Sequence, residues 1–358
     1  MDTTLLRILA IVLIANSHLE ELYPFRPLAA DGLIGNSMFF LLSGLGLALS
    51  PRTSEGRFVA WYRRRLGRIY PGLWIAVLLG TAGWEGGWHG RGIGQVLHDL
   101  FWPTPYGFVA QIVVFYPFFY LLKTARNRKW EWGILVGLGL AYLGVATFRY
   151  DLHALSWIYY FQMMILGSLL AVRLPEMGRH PRRDLGIVVV TLLLYVGLKL
   201  AMVSGRIPMH VGPLHAMTAV ILIGLLGLNA SSRPQSIALD PRLTRPLGLF
   251  ASLTLEIYLV HGFVYEAPQV ARLAFPLNLA VFWAATLPLA WALGRSAEAL
   301  RGFPATLSKW RKDADSDRRE SPPAIGLPGS IRDTASRTSR PASRGRRRRR
   351  ASSALPSR

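Results

Sequence analysis

The sequence predicts an all-α polytopic membrane protein, a bundle of about ten transmembrane helices followed by a disordered basic C-terminal tail. Three observations carry this. The chain is 51% hydrophobic and only 17% charged over 358 residues, with a mean hydropathy of +0.30, too apolar for a soluble domain of this length. Its apolar residues gather in runs of about 15 to 20, most of them near the length needed to cross a hydrocarbon layer of roughly 30 Å at 1.5 Å per residue. The basic residues fall on alternate connections between those runs.

The runs occupy residues 4–18, 33–50, 70–85, 106–122, 132–148, 156–172, 185–203, 212–229, 247–264 and 276–295. The first has the position of a signal peptide, but acidic Asp2 precedes it, Arg7 is its one cation, and no small-x-small site stands near Ala15. It reads as a retained helix. Arg52, Arg57, Arg63, Arg64, Arg65 and Arg68 follow the second run. Lys123, Arg126, Arg128 and Lys129 follow the fourth, Arg173, Arg179, Arg182 and Arg183 the sixth, and Arg233, Arg242 and Arg245 the eighth. The remaining connections are poorer in Lys and Arg and richer in acid or histidine, as at Glu20, Glu21 and Asp31, or Glu85, His98 and Asp99. Basic short loops stay in the cytoplasm, so all the basic connections agree on one topology with both termini inside.

The transmembrane domain is placed at 1–300 and the tail at 301–358. The tail carries 16 Lys or Arg against 5 Asp or Glu, a net of +11 out of the total +21. It is rich in Ser, Pro and Arg and ends in the run Arg346 to Arg350, too polar to offset the entropy of ordering. It reads either as a solvated extension or as a polybasic contact with anionic lipid. Nucleic acid is not an expected partner, because no nucleic-acid fold accompanies the run. The absence of cysteine excludes disulfides, iron–sulfur clusters and thiolate zinc sites, and no metal-ligand set is read from the sequence.

Ionisable groups inside a lipid span are costly and therefore candidates for function. Arg7 and His18 are 11 residues apart, about 1100° of helical rotation and within roughly 20° of three turns, so they share a face about 16 Å apart. His18 alone is open to two readings, a site residue or an interhelical hydrogen bond. In the second run, Gly35, Ser37, Ser43 and Gly44 allow close helix approach. Ser43 lacks the Gly-x-Ser-x-Gly turn of a serine nucleophile. Arg65 and Arg68 are neighbours on one helical face with a geometry suited to phosphate oxygens, whereas Arg63 and Arg64 read as interface anchors. The ninth run holds Glu256, Tyr258 and His261. Read as a straight span from Leu247, it places His261 about 21 Å across, at a depth like that of His18. Glu256 and His261 diverge by about 140° and do not form a same-face pair.

These features, in this order, resemble the acyltransferase-3 family of membrane enzymes, which includes many bacterial sugar and polysaccharide O-acyltransferases. Arg7 through His18 resembles its Arg-x10-His opening. Phe39, Phe40, Ser43 and Gly44 resemble its Phe-Phe-x-x-Ser-Gly element, Arg65-x-x-Arg68-x-x-Pro71 its arginine motif, and Tyr258-Leu259-Val260-His261 its late Tyr-Leu-x-His motif. The chain departs from the family at Gly35-Asn36-Ser37, where Gly-Val-Asp is frequent, at Pro105 in place of Trp, and at Val113 in place of Tyr. No hydrolase-like outer domain is expected.

The resemblance implies acyl-CoA, usually acetyl-CoA, as a co-substrate with no bound cofactor. The acceptor is then a carbohydrate or glycan-precursor hydroxyl, and the location the bacterial inner (plasma) membrane. His18 would act as general base, Arg7 would help place the donor, and Arg65 and Arg68 would hold CoA phosphate. Ser43, Glu256, Tyr258 and His261 would line the cavity or orient the reactants. Two other readings remain: a transporter or flippase whose pathway the same groups line, and a noncatalytic relative.

Overall fold

The computed structural model describes residues 2–29, 31–50, 57–83, 92–103, 106–124, 128–148, 151–208, 211–231 and 241–320. Among them there is no strand. The helices are α1 (Thr4–Ser17), α2 (Gly32–Leu49), α3 (Phe58–Gly83), α4 (Ile93–Phe101), α5 (Gly107–Thr124), α6 (Arg128–Phe148) and α7 (Leu152–Arg173). They continue as α8 (Pro181–Val203), α9 (Val211–Ser231), α10 (Pro241–Ser252), α11 (Thr254–Tyr265), α12 (Pro268–Ala271) and α13 (Leu277–Glu320). Two single-turn 3₁₀ segments, Glu20–Leu22 and Arg26–Leu28, connect α1 to α2. Arg52, Glu85, Pro105, Arg126, Arg233 and the tail beyond Glu320 lie outside the described residues.

Each predicted apolar run falls on helix, but not every one has the full length of a span. Among the described residues, six helices are long and apolar enough to cross a membrane, or seven if the bent pair α10–α11 counts as one. Helix α1 and the apolar part of α5 are shorter, and the 26-residue α3 carries four arginines in its first half. Two expectations need correction. The ninth run is not straight: α10 and α11 meet at an angle of 71°, so the 21 Å from Leu247 to His261 does not hold. At the break, Leu253 N–H reaches both Leu249 and Phe250 carbonyls. Ser252 Oγ and Thr254 Oγ1 donate to the carbonyls of Leu249 and Ala251, at 2.7 and 3.4 Å, adding side-chain donors at the point where the helix stops and restarts. The tail expected to be disordered from Arg301 begins as helix, since α13 runs on to Glu320. Extending an existing helix adds one hydrogen bond per residue without a new nucleation cost. One compact unit ends at Thr306 and a second begins at Leu307.

Helix α2 is the centre of the first unit. It packs along α7 more extensively than any other pair of helices touch, and also against α1 and α9. The contact with α7 is backbone to backbone: a methyl group added at Gly44 would overlap the Met164 carbonyl, and one at Gly167 the Leu41 carbonyl. On its other side Gly35 lies against the Ala10 carbonyl and Ile14 of α1. Lipid supplies no hydrophobic force between helices, so this close dispersion contact is what holds them. Phe40, Met38 and Leu45 of α2 are almost fully buried, with Trp61 and Leu73 of α3 and Phe119 of α5. The short α4 follows no predicted run. It is tied to α3 by Tyr70 Oη and Trp74 Nε1, which donate to the Phe101 and Leu100 carbonyls at 2.8 and 2.9 Å.

The buried acids of the bundle are partnered where they join helices. Glu131 of α6 accepts from Lys123 Nζ of α5 at 2.9 Å and from Ser168 Oγ of α7 at 3.0 Å. Asp31 caps α2 through Leu33 N–H at 3.2 Å and also accepts from Tyr195 Oη and Lys199 Nζ of α8, at 2.5 and 2.7 Å.

Because backbone blocks any side chain at the α2–α7 crossing, Gly44→Val or Gly167→Val is expected to cost about 3 kcal/mol or more. Thermal unfolding of the purified protein in detergent should show an early transition or no folded material. Gly137→Ala, on a face of α6 with open space around it, should leave the transition in place.

Candidate active site

The first-turn residues of α1 and the arginine-rich half of α3 meet at one end of α2. They enclose a cavity of about 360 Å³ lined by Arg7, Arg64, Arg65 and Arg68, with Ser43, Trp61 and Tyr116 among the other walls. No carboxylate is among its described lining residues. Arg65 lies over the Trp61 ring, its guanidinium carbon 5.8 Å from the centroid, and Trp61 is braced by the rings of Tyr116 and Tyr120 at 5.8 and 5.1 Å. Trp61 is 1% exposed, and its Nε1 has no hydrogen-bond partner among the described residues. Four guanidiniums on a cavity with no carboxylate among its described lining have the chemistry to hold anionic oxygen, phosphate above all.

A second cavity, of about 210 Å³, shares Arg7, Leu42, Ser43 and Tyr116 with the first. The shared residues form a neck. Beyond it the walls are mainly apolar and aromatic: Phe39, Ile69, Phe108, Val109 and Ile112, closed by Thr254, Leu255 and Tyr258 of the first turns of α11. The break at Leu253 brings those turns to the cavity wall. Tyr258 is fixed by accepting from Phe108 N–H at 3.3 Å and by an edge contact with the Phe108 ring at 5.4 Å.

Tyr258 leads to the histidines. Its ring centroid is 5.7 Å from that of His261, and His261 is 5.0 Å from His18. His18 caps the C-terminus of α1 and stacks on Tyr265 at 5.9 Å. His261 is buried and His18 exposed. His261 Nδ1 contacts the Tyr258 and Ile257 carbonyls at 2.8 and 3.2 Å. Carbonyls only accept, so Nδ1 carries the proton, which leaves Nε2 as the acceptor in the neutral ring. The arrangement runs from an arginine-lined chamber, through a neck, to a mainly apolar cavity that ends at Tyr258, and behind Tyr258 stand two imidazoles in contact, of which His18 is exposed.

A family model described as an acyltransferase domain, of the acyltransferase-3 type, matches residues 3–295. The chain belongs to the acyltransferase-3 family. The match runs from α1 into α13 and so contains both cavities and both histidines. Comparison with curated proteins and with solved structures gives no match.

The acyltransferase-3 chain thus gathers most of the residues singled out in its sequence. Arg7, Arg65, Arg68 and Ser43 meet around the first cavity, Tyr258 closes the second, and His18 and His261 touch. Glu256 is not brought to them. Its side chain lies against Gly294 of α13, and Oε2 is buried without a hydrogen-bond partner among the described residues. Arg64, read from the sequence as an anchor, lines the cavity. Three consecutive arginines cover about 200° of a helix, and only the packing of α3 against its neighbours, α5 and α11 among them, selects which of them face inward. At the departure Gly35-Asn36-Ser37, Ser37 is fully buried and donates to the Leu33 carbonyl at 2.5 Å. Val113 accepts from Tyr62 through its carbonyl at 3.0 Å. His215 of α9 was not singled out. It is stacked on Tyr159 at 3.9 Å and bonded to Tyr142 Oη at 2.6 Å, fully occupied in joining α6, α7 and α9.

The contact between α1 and α11 is directly measurable, because the chain contains no cysteine. The double variant His18→Cys/His261→Cys should be bridged by a short bis-thiosulfonate reagent, giving one fragment pair that stays joined after proteolysis between the helices. His18→Cys/Tyr142→Cys should not be bridged. Absence of the first cross-link in folded protein would contradict the pairing.

Proposed function

We propose that this chain is a membrane O-acyltransferase that moves an acyl group, acetyl in the reading we favour, from acyl-CoA to a hydroxyl of a carbohydrate or glycan precursor. The observation that carries this is the joining of a four-arginine chamber to a mainly apolar cavity closed by Tyr258, whose ring lies beside the His261–His18 pair. Coenzyme A has matching parts, a phosphorylated nucleotide for the arginines and a thin pantetheine arm for the apolar cavity. In this reading Arg65, Arg68 and Arg64 hold the phosphates, and Arg7 and Ser43 stand at the neck.

His18 takes the proton of the acceptor hydroxyl as its oxygen attacks the thioester carbonyl. The C–S bond then breaks, and the CoA sulfur leaves with a proton returned by the imidazolium. A sugar hydroxyl is a poor nucleophile until a positioned base takes its proton, and imidazole suits that task near neutral pH. His261, with Nε2 unprotonated, is placed to orient the His18 ring. Tyr258 positions the end of the arm, and Glu256 has no direct part. The acceptor would reach His18 from the end of α1 opposite Arg7, about 16 Å along the helix.

The same reading puts the protein in a bacterial inner membrane, with ten crossings, both termini in the cytoplasm and the polybasic tail near anionic lipid. One break among the described residues, at Leu253, does not favour transport, since many transporters pair broken helices in two repeated halves.

In membranes supplied with labelled acetyl-CoA and an acceptor extract, His18→Ala should lower transfer about 10²- to 10⁴-fold, the usual contribution of a general base. Full activity in that variant would overturn the assignment. Arg68→Ala should raise KM for acyl-CoA about tenfold or more, the worth of one charge-assisted hydrogen bond, while kcat changes little. An unchanged KM would remove Arg68 from the donor site. For orientation, a cysteine at Arg179 should be labelled by an impermeant thiol reagent only in inverted vesicles, and one at Glu21 only in right-side-out vesicles.

A further inference from the structure

A third cavity of about 500 Å³ lies away from the two already described, between α8 and the α1–α2 connection. One wall is a stripe of α8 formed by Leu192, Val196, Leu200 and Val203, spaced by 4, 8 and 11 residues and so along a single face about 16 Å tall. These four are between 40% and 64% exposed, so the groove opens sideways toward whatever surrounds the bundle. The groove belongs to the histidine end of α1, since Glu20 contributes to it and Arg7 does not.

Its polar residues are balanced in sign. Lys199 and Arg26 are the cations, Asp31 and Glu20 the carboxylates, and Tyr195 the one aromatic. Asp31 already accepts from Lys199 and Tyr195, yet Lys199 remains 42% exposed and able to bond outward. Arg26 reaches Glu21 at 3.1 Å in an exposed pair, which leaves Glu20 on the groove.

A purely anionic head would meet two carboxylates and a purely cationic head two cations. A head bearing both a phosphate and an ammonium satisfies all four. A primary ammonium donates hydrogen bonds to carboxylates, whereas a quaternary one donates none and is held by aromatic cages, which one tyrosine does not make.

We propose that this groove binds a zwitterionic phospholipid with a primary-amine head, of the phosphatidylethanolamine class. An acyl chain lies along the α8 stripe, the phosphate meets Lys199 and Arg26, and the ammonium meets Glu20 and Asp31. The site is separate from the arginine chamber and does not depend on the acyl-transfer reading.

The test is native mass spectrometry of the full chain, delipidated in detergent and incubated with phosphatidylethanolamine, phosphatidylcholine or phosphatidylglycerol at equal concentration. One phosphatidylethanolamine per chain should be retained, about fivefold in excess of the other two, the discrimination expected of a single charged contact at the lipid interface. Val196→Trp and Leu200→Trp, which fill the groove, should each remove it. Leu194→Trp, on an exposed position outside the groove, should not. Glu20→Gln should shift the preference toward phosphatidylglycerol about fivefold by deleting a carboxylate at the head. Equal retention of the three lipids, a preference for phosphatidylglycerol in the unaltered chain, or full retention in a monodisperse groove-filled variant would overturn the proposal.

Discussion

The backbone contact between α2 and α7 is the constraint from which the rest of the bundle follows. Gly44 and Gly167 leave no room for a side chain at the crossing, so the two helices sit as close as peptide groups allow. Lipid gives apolar helices no reason to associate, and such close approach is where dispersion and interhelical polar contacts gain most. With α2 pinned to α7 on one side and to α1 through Gly35 on the other, Ser43 and Arg7 arrive at the same neck. The donor-side geometry is thus a consequence of where small residues fall on one central helix.

Polarity along α1 organises the chemistry. Its first turns face the arginine chamber and its C-terminal residue is a histidine, so one short helix connects an anion-binding end to an imidazole end. Helix α11 supplies the complementary half because it starts inside the bundle. Its first turns close the second cavity with Thr254, Leu255 and Tyr258, and His261 follows Tyr258 by about one turn. A continuous ninth helix would carry those residues on a different course, so the break at Leu253 is part of the site's construction. The hydroxyls of Ser252 and Thr254 help make it tolerable by donating to the Leu249 and Ala251 carbonyls beside the break.

Charge in the bundle is handled in two ways. Glu131 and Asp31 each join separate helices through a lysine and a hydroxyl; such groups contribute little net stability but specify which helices pair. The arginines of the chamber are different, since no acid among the described residues lines it. Guanidiniums gathered in a partly enclosed space hold a standing field suited to an anionic ligand.

Apolar runs, alternating basic loops and the ordered motifs were legible in the sequence, because each rests on local spacing and on the cost of charge in hydrocarbon. From them alone followed the helical class, the family resemblance, the shared face of Arg7 and His18, and the packing role of Gly35 and Gly44. Tertiary structure decided what spacing cannot encode. It selected Arg64 as well as Arg65 and Arg68 to face the chamber, broke the ninth run at Leu253, and extended α13 past Arg301. It also directed Glu256 toward α13 and brought His18 against His261. Periodicity states which residues share a face of one helix. Which neighbour that face meets depends on the close contacts that set how helices pack, and those involve residues far apart in the chain.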